Sequence, residues 1–355
     1  MADISKIDQN FAVGETVNRD GLVFYDMEQE PFRIYGVQKE NGMFRRLPEE
    51  VAKTVNDGVY ALHANTAGGR VRFVTDSARF AIHAHIEQIP GFAHMPVTGY
   101  AGLDLYVKAE DEPEYYAFTF VPPAAIQEGY ESERTLLDGH KKRLITINFP
   151  LYSSLTKLYI GLEEGAVLEK APDYTYEVPF VTYGSSITQG GCASRAGNCY
   201  QHILTRKLDS NHINLGFSGS ARAEDTIIDW IKQMEMSVFI MDYDHNAPTV
   251  EHLRATHEKL FQAVRKEQPE LPIIIMNRPK HRLNQEEKER LEIIRTTYRH
   301  AKEAGDEKVY LIENSALTDQ IGTDGTVDNC HPNDAGFANM AAAVLPVLRT
   351  ALQAK

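Results

Sequence analysis

The sequence predicts two regions of different class: a β-sandwich, jelly-roll-like, over residues 1–175, and an α/β region with a doubly wound parallel sheet over residues 176–355. Three observations carry this. Short runs with apolar residues at every second position fill the first half, the mark of strands with one buried face. In the second half, apolar runs of strand length alternate with stretches of helical period, the pattern of a parallel sheet covered by helices. The length, 355 residues, is more than one average domain of about 150.

In the first half, Phe80–Ile86 alternates large apolar with small or polar residues, as do Ile145–Phe149 and Leu158–Leu162. Val71–Val74, Leu103–Val107 and Tyr115–Phe120 add shorter strands. Turn residues divide them: Gly68-Gly69, Pro90-Gly91, Asp111-Glu112-Pro113 and Pro122-Pro123. Many short strands with such punctuation suggest a sandwich or jelly roll. Glu169–Tyr174 reads as the connector between the two regions.

After it, Pro179–Tyr183, His212–Phe217, Ser237–Asp242, Leu271–Met276 and Lys308–Ile312 are apolar runs of strand length. Thr249–Glu267 and Asn333–Ala354 read as helices between or after them. Leu291, Ile294 and Tyr298 share a helix face, and Asn284 with Glu287 forms a capping pair. Five strands wound in this way fit a flavodoxin-like sheet, whose ligands bind beyond the carboxyl ends of the strands. The Lys/Glu-rich stretch 286–307 reads as a solvated helix face.

Composition excludes several partners. Hydrophobic residues make up 43% and charged residues 25%, ordinary for a globular chain. The net charge of −13 opposes nucleic acid and anionic membranes, which both need clustered Lys and Arg. No stretch approaches the roughly 20 apolar residues of a membrane span. Met1–Lys6 shows no basic segment leading into an apolar one. Three cysteines, Cys192, Cys199 and Cys330, make no disulfide framework. They read as reduced thiols of a cytoplasmic protein, with a Cys192–Cys199 bridge as the other reading.

The informative residues follow the apolar runs. They are Gly184-Ser185-Ser186, then Gly216-Phe217-Ser218-Gly219, then Asp244-His245-Asn246, and, before the last helix, Asp328-Asn329-Cys330-His331. In this order they resemble the four blocks of the SGNH (GDSL-type) hydrolases: G-D-S, a Gly, an Asn, and D-x-x-H. The resemblance covers roughly residues 178–355. Ser185 stands where the family usually has Asp, a G-S-S version that some members resembling carbohydrate esterases share. The first block is not G-x-S-x-G, so the nucleophile elbow of another hydrolase class is not indicated.

The residue types suit acyl chemistry. A serine hydroxyl needs an adjacent base to attack at neutral pH, and His331 can take and return its proton. Asp328 could accept the other imidazole N–H and fix the tautomer. Gly219 through its backbone N–H, Asn246 through its side chain and the Ser186 N–H at a helix start could bind the oxyanion. Each block alone has a plainer reading. Gly184 and Gly190 could shape a turn, Ser186 or Ser185 could be a helix cap, Asn246 a turn residue, and Asp328 and His331 a surface turn.

A metal reading of Asp242, Asp244 and His245 is disfavoured, because Asp244 and His245, as neighbouring strand residues, point to opposite faces. His83 and His85 share a face but lack an identifiable third ligand, and Cys330 as nucleophile leaves the G-x-S block unexplained. The expectation is a serine esterase with an acyl-enzyme on Ser186, removing short acyl groups, acetyl above all, from a small-molecule or oligosaccharide ester without metal or cofactor. Two alternatives stand: an acyltransferase using the same site, and a non-catalytic carbohydrate-binding protein. A sandwich before such a domain resembles bacterial two-domain carbohydrate esterases, which implies that it helps shape the pocket; His94–Tyr100 is the candidate contact, or simply a structural loop. Oligomeric state is not legible.

Overall fold

The computed structural model describes residues 17–110 and 112–354. Met1–Lys6, where a leader would begin, and Asp111 of the predicted turn lie outside the described residues.

The first half opens with β1 (Leu22–Asp26), β2 (Arg33–Tyr35) and a hairpin of β3 (Gln38–Glu40) and β4 (Met43–Arg45). Helices α1 (Glu49–Val55) and α2 (Asp57–Leu62) precede β5 (Arg70–Thr75), β6 (Arg79–Glu87) and the one-turn α3 (Val97–Tyr100). Then come β7 (Leu103–Lys108), β8 (Tyr115–Phe120), β9 (Gly129–Thr135), β10 (Arg143–Asn148), β11 (Ser154–Glu163) and β12 (Leu168–Lys170). Two antiparallel sheets result: β1-β11-β6-β9, and β12-β5-β10-β7-β8 with β2 also on β5. They share one core, in which Phe73, Phe80, Ile82, Leu105, Ile147 and Ile160 are fully buried. Each such side chain contributes about 1.5–3 kcal/mol over exposure to water.

β6 follows the predicted alternation: Phe80, Ile82, Ala84 and Ile86 are buried, while His83 and His85 are not. β10 departs from it, because both of its faces are buried. Ile145 and Ile147 enter the sandwich core, and Asn148 on the other face bonds Asp104, which in turn meets the second half of the chain. The predicted connector also begins inside a strand, since Glu169 and Lys170 complete β12 against β5. Helices α1 and α2 were not legible from alternation. Asn56 caps α2 by accepting the Val59 N–H at 2.8 Å, and Ala52 and Val59 pack into the core of the second half.

That second half contains β13 (Tyr176–Gly184), α4 (Ser186–Gln189), α5 (Tyr200–Leu208), β14 (Ser210–Gly216), α6 (Asp225–Ile231) and β15 (Val238–Asp242). It continues with α7 (Val250–Glu267), β16 (Ile273–Met276), α8 (Gln285–Glu303), β17 (Val309–Ile312), α9 (Asn314–Leu317) and α10 (Asp334–Gln353). The sheet order is β14-β13-β15-β16-β17, and every pairing is parallel. This is the 2-1-3-4-5 order of a flavodoxin-like sheet. Val181, Tyr183, Phe239 and Ile273 point to one helical layer; Phe180, Ile240, Ile274 and Met276 point to the other.

The caps explain where the long helices start. Thr249 and Asn333 each accept a backbone N–H at the head of α7 and α10, and Asn284 with Glu287 forms a complete capping box on α8. Glu287 and Arg290 are nevertheless buried, so the α8 face is not wholly solvated. The 20-residue α10 holds an 18-residue window of mean hydropathy 1.4, long and apolar enough by composition to cross a membrane. This corrects the expectation that no stretch approaches a span. Its Phe337, Met340, Val344 and Leu348 are buried in the core shared with α5 and the sheet.

The chain reverses its winding at β13, which lies between β14 and β15. The crevice at the carboxyl ends of these three strands is where a doubly wound sheet binds ligands.

Candidate active site

Ser186 owes its position to the end of β13. A Cβ at Gly184 would stand 2.2 Å from Thr188 Oγ1 and 2.3 Å from the Asp242 carbonyl oxygen, so only glycine lets the strand turn this tightly into α4. Ser185, not Ser186, is the helix cap: its hydroxyl accepts the Ile187 N–H at 3.1 Å. The Ser186 hydroxyl is thereby left for other partners. The Ser186 carbonyl accepts the N–H groups of Gly191 (2.7 Å) and Gly190 (3.1 Å) and the Tyr152 hydroxyl (3.1 Å).

The Ser186 Oγ lies 2.9 Å from His331 Nε2, and His331 Nδ1 lies 2.7 Å from Asp328 Oδ2. The other Asp328 oxygen accepts the backbone N–H groups of His331 (2.7 Å) and Cys330 (3.0 Å). Asn329 makes this tight turn in the left-handed region, with φ +65°. Partial burial would raise the Asp328 pKa, but the bonds and charge of His331 and the Cys330 N–H outweigh it and hold it at about 2. A carboxylate can only accept, so His331 Nδ1 carries the hydrogen and Nε2 presents its lone pair to the Ser186 hydroxyl.

Gly219 follows β14 with φ +68° and Asn246 follows β15. The Asn246 amide donates to the Phe217 carbonyl at 2.8 Å, tying the two loops together with one N–H and leaving the second free. The Ser218 N–H donates to Gln189 Oε1 at 3.1 Å, which ties the same loop to α4. Gly219 and Asn246 share a cavity of about 340 Å³ with Arg222, His245 and Arg278; Ser186 is outside its lining. Of the five predicted residues, Ser186, His331 and Asp328 form one hydrogen-bonded chain, and Gly219 and Asn246 line one cavity together.

The other candidates have structural partners. Asp244 holds Arg278 through two bonds of 2.8 and 2.9 Å; burial opposes its charge, and Arg278 more than restores it. Asp242 points beneath α4, accepting from Thr188 (2.8 Å) and Tyr200 (3.1 Å). Burial, with help from nearby Asp244, pushes its pKa up to about 7 against those two bonds. His83 and His85 face each other at 2.9 Å, with Glu131 2.6 Å from His83. Cys192, Cys199 and Cys330 are free thiols, and burial pushes the first two up to about 12.

Several residues around the site escaped the sequence reading. Gln189, fully buried, also donates to Asn65 and to the Leu151 carbonyl, both at 3.1 Å. Asp104 on β7 is buried and takes the Gly197 N–H (2.8 Å), Arg195 (3.0 Å) and Asn148 (2.8 Å). It clasps the loop after α4 to the sandwich. An aspartate between Leu103 and Leu105 in an apolar strand was the available signal. The predicted contact loop does reach the site. His94 Nε2 lies 3.8 Å from Asp328 Oδ2, and the His94 ring meets His331 edge to face at 5.6 Å. Phe92 packs on Tyr152 and Tyr100 behind it.

Residues 177–349 match the GDSL-like lipase/acylhydrolase family. Residues 22–168 match the N-terminal region of SGNH-hydrolase-type esterases, GxDLY, which reads here as Gly102-Leu103-Asp104-Leu105-Tyr106. Among solved structures, a Bacteroides ovatus ATCC 8483 protein described as a GDSL-like lipase is 26% identical, with TM-score 0.82 over 94% of this chain and 98% of the other. A salicylyl-acyltransferase from a tetracycline biosynthetic pathway shares the fold at 18% identity and TM-score 0.75, over 93% and 98%. So does a family two carbohydrate esterase from Cellvibrio japonicus, at 12% and 0.60, over 94% and 98%. No curated protein matches the chain.

Proposed function

This chain belongs to the GDSL-like lipase/acylhydrolase family and is an ester-hydrolysing enzyme, and on that premise we propose that it is a serine esterase removing short acyl groups, acetyl first, from an oxygen of a carbohydrate. The observation that carries the proposal is the unbroken chain from the Ser186 hydroxyl through His331 to a charged Asp328. His331 Nε2 takes the proton as Ser186 Oγ attacks the ester carbon. The imidazolium that forms is stabilised by Asp328, and its proton then goes to the leaving alcohol. Water attacks the acyl-enzyme by the same route in reverse.

The tetrahedral oxygen carries a negative charge in both steps. The Ser186 N–H at the head of α4, the Gly219 N–H and the free Asn246 N–H are the donors proposed to meet it. Loss of one such donor costs about 100- to 1,000-fold in turnover. No metal or organic cofactor enters this reaction.

The carbohydrate assignment draws support from the shared fold with the Cellvibrio japonicus carbohydrate esterase and from the polar cavity beside Gly219, whose wall includes Arg222, His245, Glu286 and Arg290. Acyl transfer to another alcohol is the second reading. It is favoured by the shared fold with the salicylyl-acyltransferase and by the aromatic cluster of Phe92, Tyr100 and Tyr152 packed behind His94.

A fluorophosphonate probe should label the native enzyme and not Ser186→Ala. Label on both would remove Ser186 from its role; label on neither would favour a non-catalytic binding protein. Aryl esters of increasing chain length, then acetylated sugars with and without an added alcohol, separate hydrolysis from transfer.

A further inference from the structure

We propose that Cys192, His94 and His331 form a latent site for a zinc ion, whose binding silences the enzyme by taking the lone pair of His331 Nε2 away from Ser186. The Cys192 sulfur and one ring nitrogen of each histidine all lie within 4.8 Å of one another. Three separate segments supply them: the loop before α3, the loop after α4 and the turn before α10. Among the described residues no other group of histidine, cysteine and carboxylate side chains converges in this way.

The donor set suits zinc. A thiolate and two imidazoles with a fourth position open to water is a tetrahedral zinc environment, with bonds of about 2.0–2.3 Å. Ligand atoms around such an ion stand roughly 3.3–3.7 Å apart by that geometry, so the three need close by no more than about 1.5 Å. His94 can supply the movement, since 43% of its side chain is exposed. Cys192 is already held in place: its backbone is in the left-handed region at φ +75°. A non-glycine residue there is strained, and such strain marks functional positions.

The Asp328 contact adds an independent reason. A histidine bound to zinc commonly gives its other N–H to a carboxylate, which fixes its orientation and makes it a better ligand. Asp328 does this for His331 at 2.7 Å. With His331 Nδ1 held by Asp328, Nε2 is the nitrogen left to a metal.

Binding releases the Cys192 thiol proton to solvent as the S–Zn bond forms, with no change of oxidation state; the ion's charge makes a coordinating thiol lose its proton. Ser186 then has no base. The silencing, though not the binding, rests on the reading of His331 as that base.

Cobalt(II) is the spectroscopic stand-in. Native enzyme and Ser186→Ala should each bind one ion with a thiolate-to-cobalt charge-transfer band, and Cys192→Ser should lose the band. Zinc should inhibit ester hydrolysis by the native enzyme, reversibly on adding a chelator. Relative to each variant's own zinc-free rate, the inhibitory concentration should rise at least about 100-fold in Cys192→Ser and in His94→Ala, the upper range for loss of even an outer-shell partner. His94 is exposed, so its variant guards against a misfolded cysteine variant. Unchanged inhibition in both variants, or cobalt bound without the sulfur band (for instance at His83 and His85), would overturn the proposal. Ester hydrolysis surviving in Ser186→Ala would instead overturn the esterase mechanism, while the cobalt band would still report on the metal site.

Discussion

Asp328→Asn isolates what the carboxylate does from what the side chain merely supports. One asparagine oxygen can still accept the backbone N–H groups of His331 and Cys330, which Asp328 holds at 2.7 and 3.0 Å. The other position becomes an NH2 group, a donor facing His331 Nδ1 where an acceptor stood at 2.7 Å. The imidazole must then place its hydrogen on Nε2, and the lone pair that faced Ser186 Oγ at 2.9 Å is gone. In the well-studied Ser-His-Asp proteases the same exchange costs about 10,000-fold in turnover, or about 5.5 kcal/mol of transition-state stabilisation. The fold loses at most one partly exposed hydrogen bond, about 1 kcal/mol. The expected result is a fall in kcat/KM on an aryl acetate of about 10,000-fold with a melting temperature within about 2–4 °C of native. A fall of less than tenfold, or a loss of activity matched by loss of folding, would refute the reasoning.

Asp104→Ala should lower the melting temperature by several degrees, because it leaves the Arg195 guanidinium and the Gly197 N–H without their buried acceptor, a penalty of about 3–5 kcal/mol; an unchanged melting curve would show that the clasp is idle. Asp242→Asn should remove a pH dependence of stability. The folded carboxyl, pushed up to about 7 from 3.8, holds a proton that the unfolded chain has lost. Native stability therefore falls as pH rises from about 4 to about 7, by up to roughly 4 kcal/mol at 1.36 kcal/mol per unit. Chemical denaturation at pH 4.5 and 7 reads it: the native protein should weaken relative to Asp242→Asn across that interval, and parallel behaviour would contradict the buried acid.

Much of this site was legible because its parts are local. Gly184-Ser185-Ser186 stands at the end of an apolar run, and Asp328 and His331 lie three residues apart on one turn, so spacing alone brings them near. The capping residue Asn284 was readable for the same reason: it acts on an N–H three residues away. What escaped acts across the chain. Asp104 meets Arg195 across 91 residues of sequence, and Gln189 meets Asn65 across 124; neither leaves a period or spacing to detect. His94 was placed on the right loop, but its approach to Asp328 depends on how the sandwich seats against α10. Cap roles at Ser185 and Ser186 were interchangeable in sequence, and only the helix geometry assigns the cap to Ser185. Helices α1 and α2 were missed because their apolar residues serve the core of the other half of the chain.

The central claim is a covalent intermediate on one hydroxyl. Rapid acid quench of the enzyme during turnover of an activated acetate ester, followed by peptide mapping, measures it directly. The account predicts an added acetyl mass on the peptide that carries Ser186, absent from Ser186→Ala and longer-lived in Asp328→Asn once formed. Turnover with no acetylated peptide, or with the acetyl group on Cys330 or Cys192 instead, would contradict it.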